Sequence, residues 1–335
     1  MLNNYKGDVI VIAIDYSRDN LITDFGKATL GDRYQLPGEG PQDLFARVSA
    51  AYADNSEHAQ RLYDAMSQHW FMPSTPVLSN GGTDRGYPIS CFLNNVPDDI
   101  DGIRKAWDEN VMLAARGGGI GTCWTDVRSI DEAVAKVGRT SGIIPFIKVQ
   151  DSLTLALSQG SLRRGSAAVY LDISHPEIEE FLDMRRVKGD PNRRSLNLHH
   201  GVMISDAFME AVDANVDWDL ISPKDGSVRK TISARTLWQK ILITRLEEGE
   251  PYIVFTDTIN RQIPEVYKKL GLKVRQSNLC SEIALHTGLD HIGNDRTAVC
   301  CLASLNMATM DSWFGNKQFL KDVACFLDNV LSDFI

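Results

Sequence analysis

Apolar residues recur at helical spacing from Pro41 to Ala53 and again from Ser56 to Phe71, with Pro41 suited to a first helical turn and Ser56 to an N-cap. The two runs predict an N-terminal helical layer. The pattern then breaks in FMPSTPVLSNGGTDRG, from Phe71 to Gly86, where prolines and paired glycines oppose regular structure. Tyr87 to Asn94 reads as a short extended run. A helix from about Ile103 to Ala115 follows, with Trp107, Val111 and Ala114 on one face and an end at Gly117. Beyond it, strand-like runs (AAVYLDI, HHGVMIS) alternate with helical runs (IIPFIKVQDSLTLAL, HPEIEEFLDMRR, SARTLWQKILITRLEEG), the order expected of an α/β architecture with a largely parallel sheet. The last stretch, Gln318 to Ile335, is amphipathic, with Leu320, Val323, Leu327 and Val330 on one face. It lacks a cap or closing element, so something else is expected to cover that face, and the chain is expected to be incomplete.

Composition narrows the choice. The 335 residues suffice for two domains or one large α/β domain. A net charge of −9 leaves no basic footprint for nucleic acid, so a phosphate ligand would be held locally by a few basic residues and backbone amides. The longest aliphatic run, Val9 to Ile14, is too short to span a bilayer and no signal segment opens the chain, which predicts a cytoplasmic protein with no membrane partner. The usual dinucleotide, P-loop, zincin and CxxC motifs are absent. His199 and His200 would point to opposite faces of a strand and are too few to hold a metal; no metal site is expected.

Six cysteines in a chain without secretory features are better judged singly than as staples. Ser277 to Ile283 reads SNLCSEI; if extended, it puts Asn278, Cys280 and Glu282 on one face. Taken alone, Cys280 reads as a small buried hydrophobe and Glu282 as a solvated carboxylate. The chemical reading is a reactive sulfur, a carboxylate to take a proton and an amide to orient a hydroxyl-bearing substrate. Cys91 in PISCFLNN and Cys300 in RTAVCCLASLNM each follow a strand-like approach, Cys300 being expected on a strand neighbouring Cys280. Cys123 and Cys325 read as core or surface thiols, and Cys301 as packing.

PISCFLNN, RGGGIGT, SQGSLRRGSAAVYLDISHPEIEEFLD, SNLCSEI and RTAVCCLASLN, in this order, closely resemble the catalytic large subunit of ribonucleotide reductase, from about Asp32 onward. The resemblance implies an N-terminal strand and helical segment over 1–70, then the first half of a ten-stranded α/β barrel over 71–335, with a specificity-effector region at about 95–170. It implies reduction of ribonucleotides, most simply diphosphates, by thiyl-radical chemistry. Cys280 would be the radical cysteine, Glu282 the base on the 3′-hydroxyl and Asn278 the residue holding the ribose, while Cys91 and Cys300 would form the redox pair that ends as a disulfide. Thr75 and Ser90 match hydroxyls lining the substrate site, and Gly118 and Gly119 the loop beside the ribose, where glycine permits close backbone approach.

A second nucleotide site is implied for dNTP or ATP as specificity effector. Asp98 would meet the deoxyribose hydroxyl, Arg128 the phosphate, and Gln159 and Arg164 would sense the effector from a flexible loop. No cofactor is expected on this chain: the radical would come from a metal-containing small subunit, or from adenosylcobalamin in the class II alternative. The implied partners are a C-terminal half of the catalytic subunit, the small subunit, a second catalytic subunit in a homodimer, and thioredoxin or glutaredoxin as reductant. The contrasting reading is a non-catalytic nucleotide-binding module, which retention of three chemical cysteines disfavours. An N-terminal ATP-binding regulatory domain has no counterpart in the sequence.

Overall fold

A computed structural model of the chain describes residues 2–135, 138–159 and 163–335, with Ser158, Gln159, Arg163 and Arg164 described by backbone alone. The chain divides into two compact units, residues 1–90 with 299–335, and residues 91–298.

In the first unit the helix Pro41–Ala51 opens with proline at its first position, and the Gly40 N–H donates to the Asp43 carboxylate at 2.8 Å. Nearly every residue from Gln42 to Ala51 is buried, which makes this the central helix of the unit. The next helix, Ser56–Ser67, is capped by Asn55 rather than Ser56; Asn55 Oδ1 accepts the His58 N–H at 2.9 Å. The terminal helix spans Lys317–Phe334 and buries Phe319, Val323, Phe326 and Val330. Phe326 meets Tyr52 and Phe71 edge-on at 5.6 and 5.9 Å. Each such ring contributes about 1.5–3 kcal/mol on burial.

These contacts correct two expectations. The apolar face of the terminal helix is covered by helices of its own unit, and its buried stripe runs through Phe319 and Phe326 while Leu320 faces solvent. Polar contacts fix it further: Arg61 grips Asp322 bidentately at 2.7 and 3.0 Å, and Asn329 Nδ2 donates to the Tyr52 carbonyl at 2.9 Å. The Pro/Gly-rich stretch is also more regular than its composition suggests. Phe71–Pro73 is a strand paired antiparallel with Ala303–Leu305, and Thr75–Asn80 is a short helix that tolerates Pro76 because its first turn needs no internal N–H donor.

In the second unit five strands run parallel in the order Tyr252–Phe255, His199–Ile204, Ser166–Asp172, Gly119–Cys123, Cys91–Asn95. The helices Ile100–Ala115, Ile144–Ala156 and Ile178–Asp183 cover one face of this sheet. There Asn94 donates to Asn110, Trp124 to Gln150, and Phe181 packs edge-on against His200 at 5.3 Å. The register sets Cys91 beside Gly119, Leu93 beside Gly121, and Tyr170 beside Gly201 on the opposite face. That face therefore carries a row of glycines flanked by large side chains. No helix among the described residues is long and apolar enough to cross a membrane.

Candidate active site and nucleotide pocket

The glycine-lined face of the sheet is occupied by the chain itself. A Cβ on Gly121 would fall 2.1 Å from the Ser277 carbonyl oxygen, and one on Gly119 would fall 2.9 Å from Leu279 Cδ2 and 3.4 Å from Cys91 Sγ. The close approach that these glycines permit is thus taken by residues 277–279, with Leu279 packed among Ala168, Tyr170, Met203 and Val254. Gly118 is small for a different reason: its Cβ would meet the Phe92 ring at 2.5 Å.

Ser277 to Ile283 is not extended, contrary to the spacing argument. It forms a tight turn in which the Ser281 N–H donates to the Asn278 carbonyl at 3.2 Å and Ser281 takes φ +64°. The turn is built around Asn278, which is fully buried. Its Oδ1 accepts the N–H groups of Glu282 and Ile283, both at 3.1 Å, and its Nδ2 donates to Cys91 Sγ at 3.3 Å. The Tyr170 hydroxyl holds the Asn278 carbonyl at 2.5 Å, and Ser277 Oγ donates to the Ile283 carbonyl at 2.7 Å. Cys280 and Glu282 are consequently presented, exposed, at the tip of a turn whose base is buried. Asn278 joins them to Cys91 through one carboxamide, whereas an extended strand would have joined them by facing alone. Among the described residues no disulfide is formed, and all six cysteines are described.

Tyr170, Tyr252, Glu250 and the two strand histidines complete this neighbourhood. Burial raises the phenols of Tyr170 and Tyr252 above their ordinary range, so both remain protonated donors; Cys280 and Glu282 also raise Tyr252, and Glu282 also raises Tyr170. The His199 ring stacks on Tyr252 at 6.0 Å. His199 and His200 do lie on opposite faces of their strand, yet both meet Glu250: the His199 ring bonds its carboxylate, as does the His200 N–H at 2.8 Å. Burial alone would raise the Glu250 carboxyl, but these histidine contacts hold it well below the usual carboxylate range.

The remaining thiols differ in setting. Cys123 is fully buried, which pushes its thiol up, and lies against the Arg275 carbonyl at 3.8 Å. Cys301 is pushed up to about 11 by burial and faces the Leu327 carbonyl at 3.4 Å. Both are poor nucleophiles.

In the first unit Ser90 Oγ donates to Ser74 Oγ at 2.8 Å, and the Ser90 and Ser74 N–H groups donate to the carbonyls of Cys300 and Leu302 at 3.0 and 2.8 Å. Thr75 Oγ1 lies 3.1 Å from the Tyr34 hydroxyl. Thr75, Ser90 and the buried Cys300 are thereby gathered around one short stretch of chain, while the Ser79 hydroxyl turns to its own helix, toward the Thr75 carbonyl at 2.8 Å and Asn80 Oδ1 at 3.3 Å.

Asp98 and Arg128, thirty positions apart in sequence, meet in the second unit. Arg128 Nε lies 2.9 Å from both Asp98 carboxylate oxygens, its backbone N–H donates to Oδ1 at 2.9 Å, and Nη1 donates to the Ala133 carbonyl at 2.8 Å. They border a cavity of about 540 Å³ with Ile103, Val127, Arg139 and Phe146. The floor is apolar and the rim carries both signs of charge, a shape suited to a base with a phosphate at its edge. Because Asp98 already engages Arg128, a phosphate must compete for it, and Arg139 offers a second cation that the sequence reading did not single out. The side chains of Gln159 and Arg164 lie outside the described residues.

The family model described as the ribonucleotide reductase barrel domain matches residues 89–333, and that of the ribonucleotide reductase all-alpha domain matches residues 20–86. The chain is 42% identical to the ribonucleoside-diphosphate reductase large subunit of Invertebrate iridescent virus 3, covering 97% of this chain and 59% of that protein. It is 31% identical to the ribonucleoside-diphosphate reductase subunit alpha of Chlamydia muridarum, over 98% of this chain and 35% of that one. A solved structure, the class Id ribonucleotide reductase alpha subunit of Actinobacillus ureae, superposes with a TM-score of 0.77 at 29% identity, covering 96% of this chain and 55% of that chain. The architecture, a helical domain followed by part of an α/β barrel, is the one expected. The chain spans little more than half the length, or less, of these relatives.

Proposed function

We propose, from the premise that this chain belongs to the ribonucleotide reductase large-subunit family, that it carries the radical and redox cysteines of a ribonucleoside-diphosphate reductase. The Cys280 sulfur, as a thiyl radical, takes the 3′ hydrogen of the ribose while Glu282 takes the 3′-hydroxyl proton. The 2′-hydroxyl leaves as water, Cys91 and Cys300 supply two electrons and end as a disulfide, and Cys280 returns its hydrogen to the 3′ carbon. Asn278 serves the sugar by holding the turn that presents Cys280 and Glu282 to it. Thr75 and Ser90 receive the phosphates, and the main chain of Gly118 and Gly119 borders the ribose.

The observation that supports this reading is the bonding of Asn278, which ties Cys91 Sγ at 3.3 Å to the turn that carries Cys280 and Glu282. Such a turn holds three reacting groups in fixed relation, and proximity of this kind is worth several kcal/mol of barrier. Class I relatives favour a radical delivered by a separate small subunit over adenosylcobalamin. Turnover then needs the small subunit, thioredoxin or glutaredoxin, and the part of the family's length that this chain does not span, on the same or a second polypeptide. We place a dNTP or ATP effector in the Asp98–Arg128 cavity, with Gln159 and Arg164 as its sensors and a second catalytic subunit as the dimer partner.

The test is CDP reduction by the assembled enzyme with a chemical dithiol as reductant. Cys280→Ser abolishes deoxycytidine diphosphate formation and Cys123→Ser preserves it. Equal activity of the two variants refutes the assignment.

A further inference from the structure

We propose that Glu177 is a positioning residue for the Asp98–Arg128 nucleotide pocket, holding one wall of that pocket in shape from behind. The inference rests on reading the pocket as a nucleotide site.

Glu177 precedes the helix Ile178–Asp183 and is almost fully buried. One of its carboxylate oxygens, Oε2, accepts the N–H of Ile130 at 3.1 Å and of Ile143 at 2.9 Å. These two amides are the feet of a single loop. Between them the chain pairs Ala133 with Arg139, and the Asp131 and Thr140 N–H groups donate to the carbonyls of Thr140 and Glu132, each at 3.0 Å. The loop contributes Val134, Ala135, Arg139, Thr140 and Ser141 to the cavity lining. The other carboxylate oxygen lies 3.3 Å from Arg193 Nη2, and Arg193 Nη1 reaches the Ser141 carbonyl at 3.0 Å.

Gly142 closes the arrangement. It has φ +82°, and a Cβ there would stand 2.2 Å from Glu177 Oε1, so the loop can turn against the carboxylate only as glycine. A carboxylate withdrawn from water costs several kcal/mol unless its oxygens are engaged. Here they are engaged by both ends of the pocket wall and by an arginine that grips the same wall. The side chain that sets the width of the loop's base therefore lies outside the cavity, where a nucleotide never touches it.

The experiment is calorimetric titration of dATP, dGTP and dTTP, each separately, into the full chain at 10 °C, with circular dichroism and an unfolding curve for every variant. Glu177→Ala leaves both amides without their acceptor and weakens dNTP binding about ten-fold, while Glu177→Gln, whose amide oxygen can accept both N–H groups, stays within about three-fold of wild type. A role confined to folding would lower the unfolding temperature without moving the affinity of the folded chain. If Glu177→Ala does not fold, Gly142→Ala dislodges the same carboxylate from the loop side and is expected to give the same loss. Wild-type affinity in either folded variant overturns the role of Glu177. A wild-type chain that binds none of the three nucleotides overturns the pocket reading itself, and this proposal with it.

Discussion

Replacing Asn278 by alanine is the sharpest perturbation of the cysteine-bearing turn. The change removes the acceptor of the Glu282 and Ile283 N–H groups and the donor to Cys91 Sγ. Asn278 is fully buried, but the two amides it serves lie in a partly exposed stretch, so water can reach them in part. Two neutral hydrogen bonds lost at about 1 kcal/mol each, plus the partial desolvation of two orphaned donors, give a destabilisation of roughly 2–4 kcal/mol. The sulfur contact adds little, since a thiol is a weak acceptor. A double-mutant cycle with Cys91→Ala should return a coupling below about 1 kcal/mol. Urea unfolding of the full chain measures the loss, and mass-spectrometric rates of iodoacetamide labelling at Cys280 report the turn itself. A released turn changes the Cys280 rate and leaves Cys123 protected. An Asn278→Ala chain within about 0.5 kcal/mol of wild type, with unchanged labelling, would show that the side chain does not hold the turn.

Other outcomes follow from the same geometry. Gly121→Ala pushes a methyl into the Ser277 carbonyl and should cost about 1–3 kcal/mol by the same urea assay; a neutral result would mean that the turn is not seated on the sheet. Arg128→Ala should erase the thermal shift given by dTTP, and a retained shift would remove Arg128 from the phosphate site. The acid limb of stability carries a paired signature. Burial pushes Glu177 up to about 7, so its contribution is full below pH 4.5 and is lost as pH rises to 7. Burial depresses His175 to about 4, so its contribution is full above pH 6.5 and is lost as pH falls to 4. Between about pH 4.5 and 6.5 the two slopes oppose each other. Glu177→Gln removes the opposing Glu177 slope, and the variant should lose about 1.4 kcal/mol relative to wild type for each unit of acidification in that window. Parallel stability profiles for the two proteins would contradict this.

Much of the architecture was legible because it is periodic. The helices Pro41–Ala51, Ile144–Ala156 and Ala234–Glu248 and the strands Ser166–Asp172 and His199–Ile204 lie where apolar spacing puts them. The Ser277–Ile283 turn was not legible, since its alternating residues mimic a strand and its shape comes from Asn278 and from distant glycines. The terminal helix misled for a related reason. Its stripe can be drawn through Leu320 or through Phe319, and the rings of Trp70, Phe71 and Trp313 decide for the phenylalanine. Asp98 and Arg128 were named through motif resemblance, because no local pattern links an aspartate after a strand to an arginine thirty positions later. Glu177 had no signal at all, since its partners are backbone amides and leave no mark in the composition.

The glycine row on the sheet has a further consequence. A turn whose main chain lies close against glycine is anchored by side chains at its base, Gln276 Nε2 donating to the Gly121 carbonyl and Asn278 Nδ2 to Cys91 Sγ, so Cys280 and Glu282 at its tip are left to the reaction while their position is set elsewhere. The division of labour predicts where substitutions will be felt. Size changes in the strand Gly119–Cys123 alter where chemistry happens, and changes at the tip alter which chemistry happens.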